Sequence, residues 1–233
     1  MVKIGGLQKM TMIDYPGTIS ATVFLIGCNF KCGFCQNPEL IDPEKIKNQP
    51  KISQKQFFWF LDSEQGLIDG ICITGGEPTI NPDLIDFIKK IKAKGFLVKL
   101  DTNGSNPKVL EELIKEKLID FIAMDIKTSL DKYEQAINTK IDLEKIKQSV
   151  DLIKNSGVDY EFRTTVVPEL VNEEDIKKIG EWLKGAKKFV LQQFRNQKVL
   201  DKEFEKIKPY SEETLKKFKK NLEKHIEKVE LRL

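Results

Sequence analysis

Short apolar runs alternate with amphipathic stretches along most of the chain. The runs are rich in β-branched and aromatic residues, which is typical of buried strands. Six runs predict strands: Ser20–Gly27, Asp69–Thr74, Phe96–Leu100, Ile119–Met124, Tyr160–Val167 and Phe189–Gln192. Polar or glycine-rich residues follow the runs, so each strand is expected to end at a turn.

The segments between the predicted strands carry apolar residues at helical spacing. Helices are predicted over Gln54–Leu61, from Asn81-Pro82 to Gly95, from Asn106-Pro107, from Leu143 to Gly157, from Asn172, and over 211–233. An asparagine followed by proline is a start signal, because asparagine caps a helix and proline suits its first position. The last helix is amphipathic and C-terminal.

Six βα units in succession indicate a parallel sheet with helices outside. A closed barrel of eight units usually needs ~250 residues, so six units in 233 residues predict a partial TIM-type (β/α)6 barrel. A doubly wound open sheet is the alternative α/β architecture. Residues 1–233 are interpreted as a single domain in which 1–19 form an N-terminal extension.

The composition of the chain argues against several classes of function. The net charge of +3 is too balanced to indicate a nucleic-acid partner. No apolar run approaches the ~18 residues of a membrane span, and no apolar signal-peptide core is found, so a cytoplasmic protein without a membrane partner is expected. The one histidine, His225, excludes metal sites built from several histidines and argues against a Ser-His-Asp triad.

Three of the four cysteines lie close together after the first predicted strand. Cys28, Cys32 and Cys35 have the spacing Cys-x3-Cys-x2-Cys. Three thiolates can hold three irons of a 4Fe-4S cluster and leave one iron open, as a catalytic centre needs. A structural zinc or cluster site is the alternative. Cys72 lies between isoleucines in a predicted strand, where a buried inert thiol is expected.

Polar or glycine-rich residues also follow the later strands. They are Gly75-Gly76-Glu77, Asp101-Thr102, Asp125-Ile126-Lys127, Arg163 and Arg195. The carboxyl ends of parallel strands meet at one face, so these residues are expected close together there. Taken singly, each has an ordinary structural explanation as a turn or an ion pair. Arginine is scarce in this lysine-rich chain, so two arginines near that face suggest bidentate recognition of a carboxylate or hydroxyl.

The cysteine spacing after the first strand of a partial barrel resembles the radical S-adenosylmethionine (SAM) enzymes, over nearly the whole chain. The resemblance implies one 4Fe-4S cluster on Cys28, Cys32 and Cys35, with SAM bound to the open iron. It implies SAM-binding residues along the same face: Phe34, Cys35, Gln36, Gly75, Gly76, Glu77, Asp125, Ile126, Lys127, Arg163 and Arg195.

A narrower resemblance is carried by Asp-Thr-Asn-Gly at 101–104, Asp-x-Lys at 125–127, and Arg163 before Val-Val-Pro. These segments look like the activating enzymes of glycyl radical enzymes, such as the pyruvate formate-lyase activase. In that group two aspartates can hold a monovalent cation beside SAM, which implies a cation site at Asp101, Thr102 and Asp125. The group usually has a histidine where this chain has Arg195.

The stretches 6–17 and 37–40 look most like the activators of anaerobic ribonucleotide reductase. The implied partners are a glycyl radical enzyme as protein substrate and an electron donor such as flavodoxin or ferredoxin. The alternatives are a small-molecule radical SAM enzyme, similar to the 7-carboxy-7-deazaguanine synthases, and a non-enzymatic iron-sulfur or zinc module.

Overall fold

A computed structural model describes residues 1–47 and 51–233. Its centre is a sheet whose strands follow one another in chain order. The strands are β1 (Ile4–Thr11), β2 (Ser20–Leu25), β3 (Gly70–Gly75), β4 (Leu97–Thr102), β5 (Phe121–Asp125), β6 (Asp159–Val166), β7 (Lys188–Gln193) and β8 (Lys228–Arg232). Each predicted strand is present.

The described helices are α1 (Pro38–Ile41), α2 (Pro43–Lys47), α3 (Gln54–Ser63), α4 (Leu84–Lys92), α5 (Pro107–Lys115), α6 (Tyr133–Ile137), α7 (Leu143–Asn155), α8 (Glu173–Trp182) and α9 (Glu212–Leu222). The longer helices, α3 to α5 and α7 to α9, bury an apolar face. Short 3₁₀ turns lie at Pro78–Ile80, Leu130–Lys132 and Lys202–Lys206. No described helix is both long and apolar enough to cross a membrane.

The strand order decides between the two predicted architectures. β2 to β8 pair in parallel, each with its neighbour in sequence. A doubly wound sheet reverses its strand order at a switch point, and this sheet does not. Within the described residues no pairing joins β1 to β8, so the barrel stays open between them. The partial barrel is confirmed, with one parallel strand more than predicted.

The N-terminal extension contributes an edge strand that the sequence pattern did not reveal. β1 pairs antiparallel with β2, with Ile4 opposite Leu25 and Thr11 opposite Ser20. Adjacent glycines at 5 and 6 and the polar residues 8–9 interrupt the apolar alternation of a strand. Gly5 is needed because a Cβ there would meet the Leu40 side chain at 2.6 Å.

The prediction of a helix over 211–233 was wrong in its second half. α9 ends at Leu222, and Lys228–Arg232 form β8, in which Val229 pairs with Phe189 of β7. Ile226 and Val229 continue the helical spacing, but Val229 and Leu231 also alternate as in a strand. Short apolar runs carry this ambiguity, and pairing with the exposed edge of β7 resolves it.

Two helix-start signals behave differently. Pro107 is the first residue of α5, as predicted. Asn81, by contrast, closes the 3₁₀ turn Pro78–Ile80, and α4 begins at Leu84 with Asp83 at its N-cap. The predicted helix start at Asn81-Pro82 was thus too early, because Asn81 caps the end of the 3₁₀ turn that follows β3.

Candidate functional site

One cavity of about 710 Å³ opens at the carboxyl ends of the strands and continues into the barrel. It brings together most of the residues that the sequence singled out. They are Cys28, Cys32, Phe34, Cys35, Gln36, Gly75, Gly76, Asp101, Thr102, Asp125, Lys127, Arg163 and Arg195. Large pockets with convergent polar groups are the usual places of ligand binding in this architecture.

The three cysteines lie on the loop between β2 and α1, where backbone N–H groups point at sulfur. Phe30 donates its N–H to the Sγ of Cys28, and Asn37 donates to the Sγ of Cys35, each over 3.4 Å. Burial, only partly offset by the Phe30 N–H, raises the pKa of Cys28 to about 12. Burial likewise raises the pKa of Cys32 to about 11. The metal-free thiols are therefore neutral, and metal binding must release their protons.

Later parts of the chain hold this loop in place. The Lys31 N–H donates to the carbonyl of Ile137 over 2.9 Å, and the Asp201 N–H donates to the carbonyl of Gly33 over 2.9 Å. Phe204 packs against Gly33, whose Cβ would meet the ring at 2.3 Å if it had one. The loop is thus positioned by segments that lie far from it in sequence.

The donor set fits an iron-sulfur cluster. In the part of the chain that the structure describes, no three His, Cys, Asp or Glu side chains surround a point where a single ion could bind. Thiolates that each bind a different iron of a cluster have no common ion to surround. The thiols of Cys28, Cys32 and Cys35 all line the cavity, so a cluster held by them would lie next to a small molecule bound there.

Gly75 and Gly76 lock the end of β3 against the start of the cysteine loop. Gly76 donates its N–H to Leu25 over 2.9 Å, and Glu77 donates its N–H to Gly27 over 2.8 Å. A Cβ on Gly76 would lie 1.9 Å from the carbonyl oxygen of Gly27. Gly75 has φ +116°, a conformation that favours glycine. These glycines set the position of the cysteines as well as the cavity wall.

Glu77 was expected to contact SAM, but its side chain turns away from the cavity. It is 0% exposed, and its Oε1 accepts hydrogen bonds from Thr79 Oγ1 (2.6 Å) and Thr102 Oγ1 (2.8 Å). Its Oε2 accepts the N–H of Asn103 over 2.6 Å. Burial raises the pKa of Glu77 despite these donors. The carboxylate therefore braces the ends of β3 and β4.

Ile126, another residue expected at the SAM site, does not place its side chain in the cavity. The side chain is buried instead. Its N–H donates to the carbonyl of Arg163 over 2.7 Å, and its carbonyl accepts from Thr164 Oγ1 over 2.7 Å. Asp125 and Lys127, on either side, face the cavity because side chains alternate along a strand.

We expect Glu77→Gln to destabilise the fold, because a Gln amide places an NH₂ among groups that already donate. The free energy of unfolding in urea should fall by about 1–3 kcal/mol, the usual effect of leaving buried polar groups unsatisfied. Glu111→Gln, at an exposed position of α5, is the matched control and should change little. Equal stability of both variants would contradict the bracing role.

Charged side chains inside the barrel form one continuous series of contacts, which we call the buried ion chain: Lys99, Asp101, Arg163, Asp125 and Lys127. The guanidinium of Arg163 donates to Asp125 Oδ1 over 2.9 Å and to Asp101 Oδ2 over 3.2 Å. Lys127 Nζ donates to Asp125 Oδ2 over 3.0 Å, and Lys99 Nζ donates to Asp101 Oδ1. Each carboxylate is thus held between two cations.

The pKa values within the buried ion chain follow from this pairing. Burial alone would raise the pKa of Asp125, yet Arg163 and Lys127 hold it well below its usual value. Asp101 is likewise buried, and Arg163 with Lys99 lowers its pKa. Burial alone would lower the pKa of Lys127, but Asp125 raises it. Asp101, Asp125, Lys127 and Arg163 therefore stay ionised at neutral pH.

The residues that the resemblance implied for a monovalent cation do not fit such an ion here. Asp101 Oδ2 accepts from Thr74 and Arg163, and its Oδ1 accepts from Lys99. The Thr102 hydroxyl donates to Glu77 and accepts the N–H of Gly104 over 3.1 Å. The oxygens that would ligate the ion are therefore engaged within the protein.

Cys72 lines the cavity although the sequence did not indicate it, and Lys99 lies beside it. Cys72 is buried, as expected, but its thiol faces the barrel interior, 3.6 Å from Lys99 Nζ and 3.9 Å from Asp101 Oδ1. Burial raises its pKa to about 12, so it is a neutral thiol. The sequence did contain a signal for Lys99. Side chains alternate along a strand, so Lys99 lies on the same face of β4 as Asp101.

The opposite wall of the cavity comes from the cysteine loop and the end of β7. Phe34 is buried against Phe204, with ring centroids 6.1 Å apart. Gln36 donates its side-chain amide to the carbonyl of Arg195 over 3.0 Å, which ties the two segments together. Phe34, Gln36 and Arg195 all line the cavity.

Comparisons with known proteins agree with this site. Residues 22–183 match the family model described as "Radical SAM superfamily". The chain is 38% identical to a Methanocaldococcus jannaschii protein whose name assigns it provisionally as a glycyl-radical enzyme activating enzyme, over 98% of this chain and 95% of the relative.

Two further matches are more distant. The chain is 28% identical to the pyruvate formate-lyase-activating enzyme of Clostridium pasteurianum, over 80% of this chain and 78% of the relative. The crystal structure of Streptococcus suis SuiB bound to S-adenosylmethionine shares the fold, with a TM-score of 0.68 and 16% identity, over 89% of this chain and 48% of SuiB. The chain belongs to the radical SAM superfamily and, within it, to the glycyl-radical enzyme activating enzymes.

Proposed function

We propose that the chain activates an anaerobic ribonucleotide reductase by removing a hydrogen atom from a backbone glycine of that enzyme. The observation that carries the chemistry is one cavity in which three thiols face the ionised groups of Asp125 and Lys127. The choice of partner rests on the sequence resemblance of stretches 6–17 and 37–40. The relatives' names support an activating role without specifying this partner.

Cys28, Cys32 and Cys35 would hold the 4Fe-4S cluster, and SAM would occupy the cavity beside it. When bound, the reduced cluster supplies one electron that splits the C5′–S bond of SAM into methionine and a 5′-deoxyadenosyl radical. The chain's own residues bind and orient. Lys127 remains cationic and can neutralise the carboxylate of SAM, while Gly75 and Gly76 line the cavity and can offer backbone carbonyls to its amino group.

The remaining roles follow from position in the cavity. Phe34 offers a buried aromatic face to the adenine, and Arg195 offers donors to the ribose. Asp125 acts through Lys127 and Arg163 by fixing both cations. A one-electron donor of the flavodoxin or ferredoxin class is required, and we place the reaction in the cytoplasm.

Anaerobic electron paramagnetic resonance tests the proposal. The cluster-loaded protein is mixed with SAM, dithionite and an anaerobic ribonucleotide reductase. We expect a doublet glycyl signal that disappears when the reductase glycine is replaced by alanine. If SAM is cleaved without a glycyl radical on any such partner while a small molecule is consumed, the enzyme is a small-molecule radical SAM enzyme instead. If SAM is not cleaved at all, the proposal fails at its first step.

A further inference from the structure

The buried ion chain ends at Lys99, a lysine that is 1% exposed in the middle of β4. A buried ammonium is costly unless a carboxylate compensates its charge. Asp101 provides that charge, and the thiol of Cys72 lies 3.6 Å from the Lys99 ammonium. The ammonium thus occupies the Oδ1 atom of Asp101, an oxygen that a metal ion beside Asp101 would need as a ligand.

Both carboxylates of the buried ion chain already have two cationic partners. Its three cationic side chains outnumber its two carboxylates, a net charge of +1. A metal ion beside Asp101 would lie close to the like charges of Lys99 and Arg163, which is unfavourable.

We propose that Lys99 is a built-in cation: its ammonium takes the place of a monovalent metal ion beside Asp101, so that SAM binding by this chain needs neither K⁺ nor Na⁺. This inference rests on the proposed SAM site. Lys99 is a positioning residue, since it acts on SAM through Asp101, Arg163 and Asp125. Without the charge of Lys99, Arg163 would be the only cationic partner of Asp101 and should shift toward Asp101 and away from Asp125, which also holds Lys127.

Equilibrium binding of SAM to the cluster-loaded protein provides the first test. Titration calorimetry is run in buffers whose monovalent cation is K⁺, Na⁺ or tetramethylammonium, which is too large for the site. We expect the dissociation constant of the unaltered protein to be the same in all three within about twofold, a difference of roughly 0.4 kcal/mol. A tenfold or larger weakening in tetramethylammonium would overturn the proposal.

The variant Lys99→Met keeps the length of the side chain and removes its charge. In tetramethylammonium we expect SAM to bind about tenfold more weakly, within the range usual for coupling between two bound ligands. K⁺ should restore the affinity of this variant but leave the unaltered protein unchanged. Lys92→Met, which breaks a lysine–aspartate pair with Asp120 outside the cavity, is the matched control and should show no K⁺ effect.

Crystals soaked in Rb⁺ give a readout that does not depend on SAM or on turnover. We expect an anomalous peak beside Asp101 in Lys99→Met and none there in the unaltered protein. A peak beside Asp101 in the unaltered protein would overturn the proposal even if Lys99→Met did not fold. If the expected Rb⁺ peaks are found but the protein does not bind SAM, the proposed function is rejected and the role of Lys99 stands.

Discussion

Cys35→Ser is expected to abolish the cluster and, with it, the cleavage of SAM. A serine hydroxyl does not replace a thiolate as an iron ligand, and Cys35 has the Asn37 N–H in place to stabilise its sulfur. SAM cleavage should fall by more than about 100-fold, beyond what changes outside the ligand set usually cause. Iron and sulfide analysis after anaerobic reconstitution, with 5′-deoxyadenosine detected by chromatography, measures both effects. Cys28→Ser and Cys32→Ser should behave in the same way.

Cys72→Ala is the control for this experiment, since it removes the fourth thiol of the chain. Iron content should be unchanged, and the loss of a buried contact should cost about 1–2 kcal/mol of stability. Loss of the cluster in Cys72→Ala, or its retention in Cys35→Ser, would show that the ligands have been assigned incorrectly.

Gly76→Ala is expected to have the second-largest effect, although the change adds one methyl group. The new Cβ would lie 1.9 Å from the carbonyl oxygen of Gly27, directly before Cys28. Backbone must move to relieve this overlap, which typically costs 1–3 kcal/mol or somewhat more, about the effect of overpacking a core. Because the part that moves carries the cysteines, we expect both a lower melting temperature and a poorly occupied cluster.

Gly6→Ala separates this close contact from the general effect of replacing glycine. Gly6 lies in β1, and a Cβ there would lie 3.4 Å from the Phe24 side chain, close to ordinary van der Waals contact. Stability and iron content should therefore stay near those of the unaltered protein. A Gly76→Ala protein with a full cluster and an unchanged melting temperature would show that the loop adapts freely.

More of the candidate site than of the terminal strands could be predicted from the sequence. Cys28, Asp125 and Arg163 could be placed at one face because parallel strands bring their carboxyl ends together. β8 was predicted as the end of a helix, because Val229 fits a helical and a strand period equally, and only its pairing with Phe189 of β7 decides.

The directions of side chains near the site were harder to predict from the sequence than the positions of the residues along the strands. Glu77 follows a strand end as Asp125 does, but the donors of Thr79 and Asn103 draw its carboxylate into the protein. Lys99 was read as part of an apolar strand because one long side chain among apolar residues carries little signal. Its role depends on Asp101 being on the same face and on burial, which only tertiary structure provides.

The hydrogen bonds that fix the cysteine loop also set an order for maturation. A chain is synthesised from its N-terminus, and a domain acquires its final packing only when its last elements are available. The cysteines emerge early, but Ile137 and Asp201, which hold Lys31 and Gly33, follow more than a hundred residues later. We infer that iron is loaded into a finished polypeptide, so the delivery machinery must reach the thiols through the cavity mouth at the carboxyl ends of the strands.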